Sequence, residues 1–224
     1  MQQITAAIII IGDEILSGRT KDINTSWLAT ELNLRGIQVA EVRVVSDKQD
    51  AIIEAVNTLR ARNNYVFTTG GIGPTHDDKT AEAITAAFDT ELHADAEAVS
   101  RLEDYYPPEK RNAARMKMAL VPKGAGLIDN PISAAPGFIM DNVYVMAGIP
   151  SIMQAMFKGY ADSLTGGAEV HSLSLELECG EGDLAAPLSQ LQDEFPDIDI
   201  GCYPGDMDRQ KPVSYTHLTL PTKA

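Results

Sequence analysis

The run ITAAIIII at 4–11 carries no charge and is rich in β-branched side chains. It is far shorter than the about 20 apolar residues that a membrane helix needs. It also offers no polar face to water, so it reads as a strand buried on both faces, as in parallel sheets covered by helices. The segments that follow agree. Residues 22–36 place Ile23, Trp27, Leu28, Leu32 and Leu34 near helical spacing and stop at Gly36. A second strand at 37–45, a helix at 47–62, a third strand at 64–69 and a third helix at 78–88 continue the alternation. Strand alternating with helix predicts right-handed βαβ units, hence an α/β fold with a parallel sheet and helices on both faces.

The remainder is patterned differently. Residues 95–119 read as two helices broken at YYPPE, and 137–148 as a hairpin turning at Asp141 and Asn142. A helix at 148–164 has Pro150 in its first turn, where a missing N–H costs nothing. TGGAE at 165–169 is a flexible joint, and VHSLSLELE beyond it alternates strictly, as a half-exposed strand does. A helix at 181–194 and a strand at 197–202 follow. The expected domains are 1–166, a small and incomplete α/β unit at 167–212, and a tail at 213–224. That tail resembles a translated sequencing-library transposon adapter and is set apart as non-native, the other reading being a short native strand.

A net charge of −14 argues against nucleic-acid and anionic-membrane partners, since affinity for phosphate backbones comes from many Lys and Arg. It leaves room for a small phosphorylated ligand, which a few N–H groups hold. The first residues show no basic start or cleavage site, and Cys179 and Cys202 match no metal spacing, so the expectation is a cytoplasmic protein without a signal peptide.

Three loops follow apolar strands: 12–24, 70–78 and 147–150. In open α/β sheets ligands sit at the carboxyl ends of strands, so all three are expected on one edge. Gly70, Gly71 and Gly73 allow close backbone approach and positive φ, and Thr68, Thr69 and Thr75 offer hydroxyls. The following helix start supplies N–H groups and positive dipole. This favours a phosphate. Asp77 and Asp78 would repel it unless a divalent cation lies between, as Mg²⁺ does between carboxylates and phosphate oxygens. The other reading of Asp78 is an N-cap for the helix. His76 suits a solvent-facing loop position better than a metal ligand. Asp13 and Glu14 either complete the carboxylate cluster or end a strand in solvent. Arg19 and Lys21 either meet phosphate or are surface cations.

These motifs resemble the molybdopterin-binding MoaB/Mog domain, specifically the competence/damage-inducible protein A (CinA) family, in its short form without a C-terminal deamidase domain. The matching stretches are GDEILSGRTKDINTSWLATEL (12–32), TTGGIGPTHDDKTAEAI (68–84), NPISAAPGF (130–138) and AGIPSIMQAMF (147–157). The resemblance implies a three-layer α/β/α sandwich with a mostly parallel sheet and a pocket for a pterin or nucleotide pyrophosphate. It implies ligand-binding roles for Gly12, Asp13, Glu14, Ser17, Thr69, Gly70, Gly71, Gly73, Pro74, Thr75, Ala135, Pro136, Gly137, Gly148 and Pro150. It further implies a catalytic acidic pair, Asp77 and Asp78, binding metal with Asp13. The implied activity is a pyrophosphatase dependent on Mg, Mn or Co and acting on ADP-ribose or a similar nucleotide. The alternatives are non-catalytic binding of molybdopterin or a nucleotide, and adenylyl transfer to molybdopterin. A homo-oligomer is also expected. One departure stands out: Ser133-Ala134 replaces the family's usual Gly-Thr.

Overall fold

The computed structural model describes residues 3–167, 170–177, 179–196, 198–204 and 214–221. It divides into two compact units, one running up to Leu32 and resuming over Ile37–Thr165, the other holding Asn33–Gly36 and the described residues from Gly166 onward.

The larger unit is built on β1 (Ile4–Ile11), β2 (Ile37–Val45) and β3 (Tyr65–Thr69), with helices α1 (Asp13–Leu16), α2 (Asn24–Asn33), α3 (Gln49–Arg60) and α4 (Thr80–Ala87) between and after them. Next come β4 (Leu92–Ala94), α5 (Ala96–Tyr105), α6 (Ala113–Met116), β5 (Leu120–Pro122) and β6 (Gly126–Ile128). The unit closes with β7 (Gly137–Met140), β8 (Val143–Met146) and α7 (Pro150–Tyr160). Six strands form one sheet in the order β2-β1-β3-β8-β7-β6. The first four run parallel, while β7 is antiparallel to both its neighbours.

Strand β1 explains the layering. Its successive side chains point to opposite faces, and both faces are dry: Ala6, Ile8 and Ile10 pack on one side, Ala7, Ile9 and Ile11 on the other. The first set meets Leu28 and Leu32 of α2 and Met153, Met156 and Phe157 of α7. The second meets Ile52, Val56 and Leu59 of α3 and Ala83 and Ile84 of α4. Helices therefore cover both faces, giving the three-layer sandwich. Full burial of one such isoleucine is worth about 1.5–3 kcal/mol, so this strand anchors both layers.

The hairpin turns at Asp141 and Asn142 as expected, with Asp141 left-handed at φ 53. Pro150 opens α7. Residues 95–119 keep the expected helix, break and helix, but the second helix is short: after α5 and the YYPPE break come only the four-residue α6 and a 3-10 turn at Lys117–Ala119, and the flanking three-residue β4 and β5 pair antiparallel. Strands that short carry no readable alternation.

The smaller unit contains β9 (Val170–Leu177), α8 (Glu181–Glu194), β10 (Asp199–Pro204) and β11 (Ser214–Pro221). Its antiparallel sheet has the order β10-β11-β9. Residues 214–221, part of the segment set apart as a tail, form the middle strand. Their Tyr, Thr and Leu content is of the kind that favours extended backbone.

Candidate functional site

The parallel strands end at one edge. Ile11 is in register with Val45, Ile10 with Thr69, and Thr69 with Met146. The chain leaves this edge at Gly12, Ser46, Gly70 and Ala147. Two bonds knit the exits together: Gly12 N donates to Val45 O at 3.1 Å, and Gly70 N to Met146 O at 3.1 Å. Buried Asn24 adds a tie, its Nδ2 donating to Gly148 O at 2.8 Å and to Thr69 Oγ1 at 3.4 Å. At the start of α2, Asp22 Oδ1 accepts the N–H groups of Asn24 and Thr25.

Above these exits lies a cleft of about 620 Å³, within the usual range of small-molecule sites. Of the expected residues, Glu14, Gly70, Gly71, Gly73, Pro74, Asp77, Asp78, Ala135, Gly148 and Pro150 line it. Thr69 borders a smaller adjoining niche of about 70 Å³ with Asn24 and Lys21, and Pro136 a small recess beside Lys117. Gly12, Asp13, Ser17, Thr75 and Gly137 do not line the cleft. Asp13 instead donates its N–H to Asp47 Oδ2 at 2.8 Å. Ser17 Oγ donates to Glu14 O and accepts from Arg19 Nε, so the Ser17 hydroxyl is spent within its own loop. Gly137 pairs with Ile128, and a Cβ there would strike the carbonyl oxygen of Val145, so sheet packing requires it.

The 70–78 loop is tightly built. Gly70 has φ 106 and Gly71 φ 68, and Cβ atoms on them would meet Ile11 O and Thr80 Oγ1 respectively. Thr80 holds the loop's base, donating from N to Gly71 O at 3.0 Å and from Oγ1 to Gly70 O at 2.9 Å. Among the described residues, nothing accepts the N–H groups of Gly71, Ile72 or Gly73. Successive free amides in such a turn form an anion-binding concavity.

Asp78 does not cap α4. Lys79 is the residue before the helix, and no side chain caps it. Asp78 Oδ2 instead accepts from Thr75 N at 2.8 Å and from Thr75 Oγ1 at 2.5 Å, closing the loop on itself. Asp77 lies below its ordinary value; the Thr75 hydroxyl would be the strongest pull, but it has one proton to give and its short bond goes to Asp78, so the lowering rests on Asp77's own backbone N–H and on the charges of His76 and Lys117. His76 stands in solvent, 3.9 Å from Asp77.

Asp47 was not anticipated. It follows β2, lines the cleft and is raised above its ordinary pKa by burial and by the charges of Asp13, Glu14 and Asp77, against the pull of the Asp13 N–H. The rule that selected the other strand ends applies equally to β2. Asn130, also buried, organises the loop before β7: its Oδ1 accepts from Ile132 N and Ser133 N, and its Nδ2 donates to Ser133 Oγ and Ala135 O. Ala134, in the place of the usual threonine, is left-handed at φ 62.

Residues 7–165 match the family model described as "Probable molybdopterin binding domain". The chain belongs to that family. A solved structure of CinA from Thermoplasma acidophilum aligns with a TM-score of 0.68 and 32% identity, covering 71% of this chain and 96% of that one, so the molybdopterin-binding domain is of the CinA type. A protein from Archaeoglobus fulgidus is 34% identical, covering 88% of this chain and 84% of the relative. A Caenorhabditis elegans protein named "Probable FAD synthase" is 31% identical across the chain, which spans 47% of that relative's length. Residues 169–220, including most of the segment set apart as a tail, match the model "FAD synthase, middle domain". Among the described residues, no helix beside the molybdopterin-binding domain or within it is long and apolar enough to cross a membrane.

Proposed function

We propose that this CinA-type domain binds a nucleotide or pterin through its pyrophosphate and hydrolyses that pyrophosphate with a divalent cation, ADP-ribose being the first substrate to test. One observation carries the reading. The cleft places the free amides of Gly71, Ile72 and Gly73 beside four carboxylates, Glu14, Asp47, Asp77 and Asp78, and has no Lys or Arg in its lining. Amides of this kind call for an anion. Carboxylates a few Å from it would oppose it by about 1–4 kcal/mol per pair, unless a cation stands between.

The residues fit such a cation in one manner only. Among the described residues no three acids, histidines or cysteines form a ready cage. Mg²⁺ is held by one or two carboxylates together with phosphate oxygens, and Mn²⁺ or Co²⁺ suits the same oxygen set. Asp77, ionised and exposed at the loop tip, is the foremost candidate, with Asp78 and the Asp47–Asp13 pair behind it. When bound, the cation supplies charge neutralisation and a more acidic water. The chain's own part is to seat the phosphates on the loop amides and to keep Asp77 deprotonated. Ile72, Tyr106, Met118, Ile149 and Ile152 supply an apolar wall for the rest of the ligand. A second reading, in which molybdopterin or a nucleotide is held without turnover, uses the same free amides and apolar wall.

The test is incubation with ADP-ribose and Mg²⁺, Mn²⁺ or Co²⁺, following AMP release. Turnover is expected only with metal, and Asp77→Asn should lower it at least about 100-fold, the scale of losing one charge-stabilising group, while the unfolding temperature holds. Binding without AMP release would favour the second reading. Full turnover in Asp77→Asn would remove that residue from the metal site.

A further inference from the structure

Lys117 reaches the acidic loop from a distant part of the chain. It lies in a 3-10 turn at Lys117–Ala119, between α6 and β5. Its Nζ donates to Asp78 O at 2.5 Å and to Thr75 O at 3.3 Å, and stands 3.5 Å from Glu82 Oε1. An ammonium has three donors, and these three contacts account for them. The side chain is 23% exposed, and its stem lies beside Leu120, Val121 and Phe138 around a small recess. Glu82 is the balancing charge on α4. Its Oε1 is also 3.8 Å from Lys79, and its Oε2 is buried with no hydrogen-bond partner among the described residues.

The loop itself has few other restraints at this end. Thr80 fixes its base, and the Asp78–Thr75 bonds close its tip, but those bonds lie within the tip and do not fix where it sits. Lys117 grips the two carbonyls that bracket Asp77, at 75 and 78, and ties them to α4 through Glu82. We infer that Lys117 is a positioning residue, a strut that sets the placement of the Asp77–Asp78 segment against the glycine amides and does not itself touch the ligand. The inference rests on the pyrophosphatase reading for its kinetic consequence but not for its structural one.

Two measurements on the full chain separate these. In the first, amide hydrogen exchange is followed for Thr75 and for β3 in wild type, Lys117→Met and Lys117→Arg. Methionine retains most of the apolar stem and loses the donors. Thr75 exchange should rise at least about tenfold in Lys117→Met, the lower end of what losing hydrogen bonds to a charged group does to an equilibrium. Exchange in β3 should be unchanged, and Lys117→Arg should lie close to wild type. Unaltered Thr75 exchange in Lys117→Met overturns the strut, whatever the activity. In the second, metal-dependent AMP release is resolved into kcat and KM. Misplacement of a catalytic group by about 1 Å costs about 100-fold, so kcat should fall on that scale with KM for ADP-ribose within threefold and recovery in Lys117→Arg. A rise in KM with kcat intact would make Lys117 a ligand contact and overturn the inference. Absence of AMP release in wild type counts against the pyrophosphatase alone, and the exchange experiment still decides the strut.

Discussion

Asp47 shows how a single side chain reports on the charge of its surroundings. Burial raises its pKa first, and the carboxylates of Asp13, Glu14 and Asp77 add to that, while the Asp13 N–H pulls the other way. A raised acid binds its proton more tightly folded than unfolded. Its contribution to stability is therefore complete below the ordinary value of 3.8 and is lost as pH rises through the folded pKa. Asp47→Asn removes that loss while its amide oxygen can still accept the Asp13 N–H. The variant should be more stable than wild type at pH 7, by up to about 0.5 kcal/mol for a site that is only partly buried, and the gain should vanish near pH 3. Thermal unfolding at both pH values checks this. Equal destabilisation at both would mean that the Asp13 bond outweighs the repulsion. Asp47 was missed because it reads as the polar lead-in to a helix: single acids next to Ser and Lys are common there, and the electrostatic cost arises only when β1 and β2 bring their ends together.

The element that carries most of the site is the loop from β3 to α4, and its glycines are not equivalent. Gly71 is left-handed, and a Cβ there would collide with Thr80 Oγ1, which is buried and bonded to Gly70 O. Gly73 has no positive φ, and its Cβ would come within 2.7 Å of Asp78 Oδ2, the end of a side chain that can swing away. Gly71→Ala should therefore cost about 2–4 kcal/mol, adding left-handed strain of about 1–2 kcal/mol to loss of a buried hydrogen bond. Gly73→Ala should unfold close to wild type yet lose metal-dependent turnover, because it displaces the carboxylate that closes the loop on Thr75. Denaturant unfolding beside AMP release distinguishes the two, and equal stability losses would erase the distinction. That glycine was needed here was legible in TTGGIGP, since positive φ and close approach are glycine's particular abilities. Which glycine serves the fold and which faces the ligand was not legible, because it depends on Thr80 and Asp78 turning back onto the loop. The helix-cap reading of Asp78 failed for the same reason: Thr75 competes for the carboxylate and wins by offering two donors.

At the scale of the molecule, the sandwich was readable because its strongest signals are local: an unbroken β-branched strand, helical spacing after it, and a proline and glycines at element ends. The strand pair that frames the 95–119 insert was not, since β4 and β5 are three residues each and are strands only because they find each other. β11 was passed over for another reason: its residues resemble a translated adapter, and its pairing with β10 and β9 is seen only in the structure. These differences bear on autonomy. All three buried clusters among the described residues draw only on positions up to Leu164, so the larger unit completes its own core without anything beyond Thr165. A chain ending at Thr165 should then fold cooperatively, unfold within a few degrees of the corresponding full-length transition, and keep the cleft, because every residue lining it lies between Ile11 and Ile152. Circular dichroism during heating, together with ADP-ribose affinity in the presence of Mn²⁺, tests both parts. If the shortened chain were molten, with secondary structure but no cooperative transition, the larger unit would owe its packing to residues that its own core clusters do not include. If it folded but bound more weakly by about tenfold, 1.4 kcal/mol of binding free energy would have to come from outside the cleft as described.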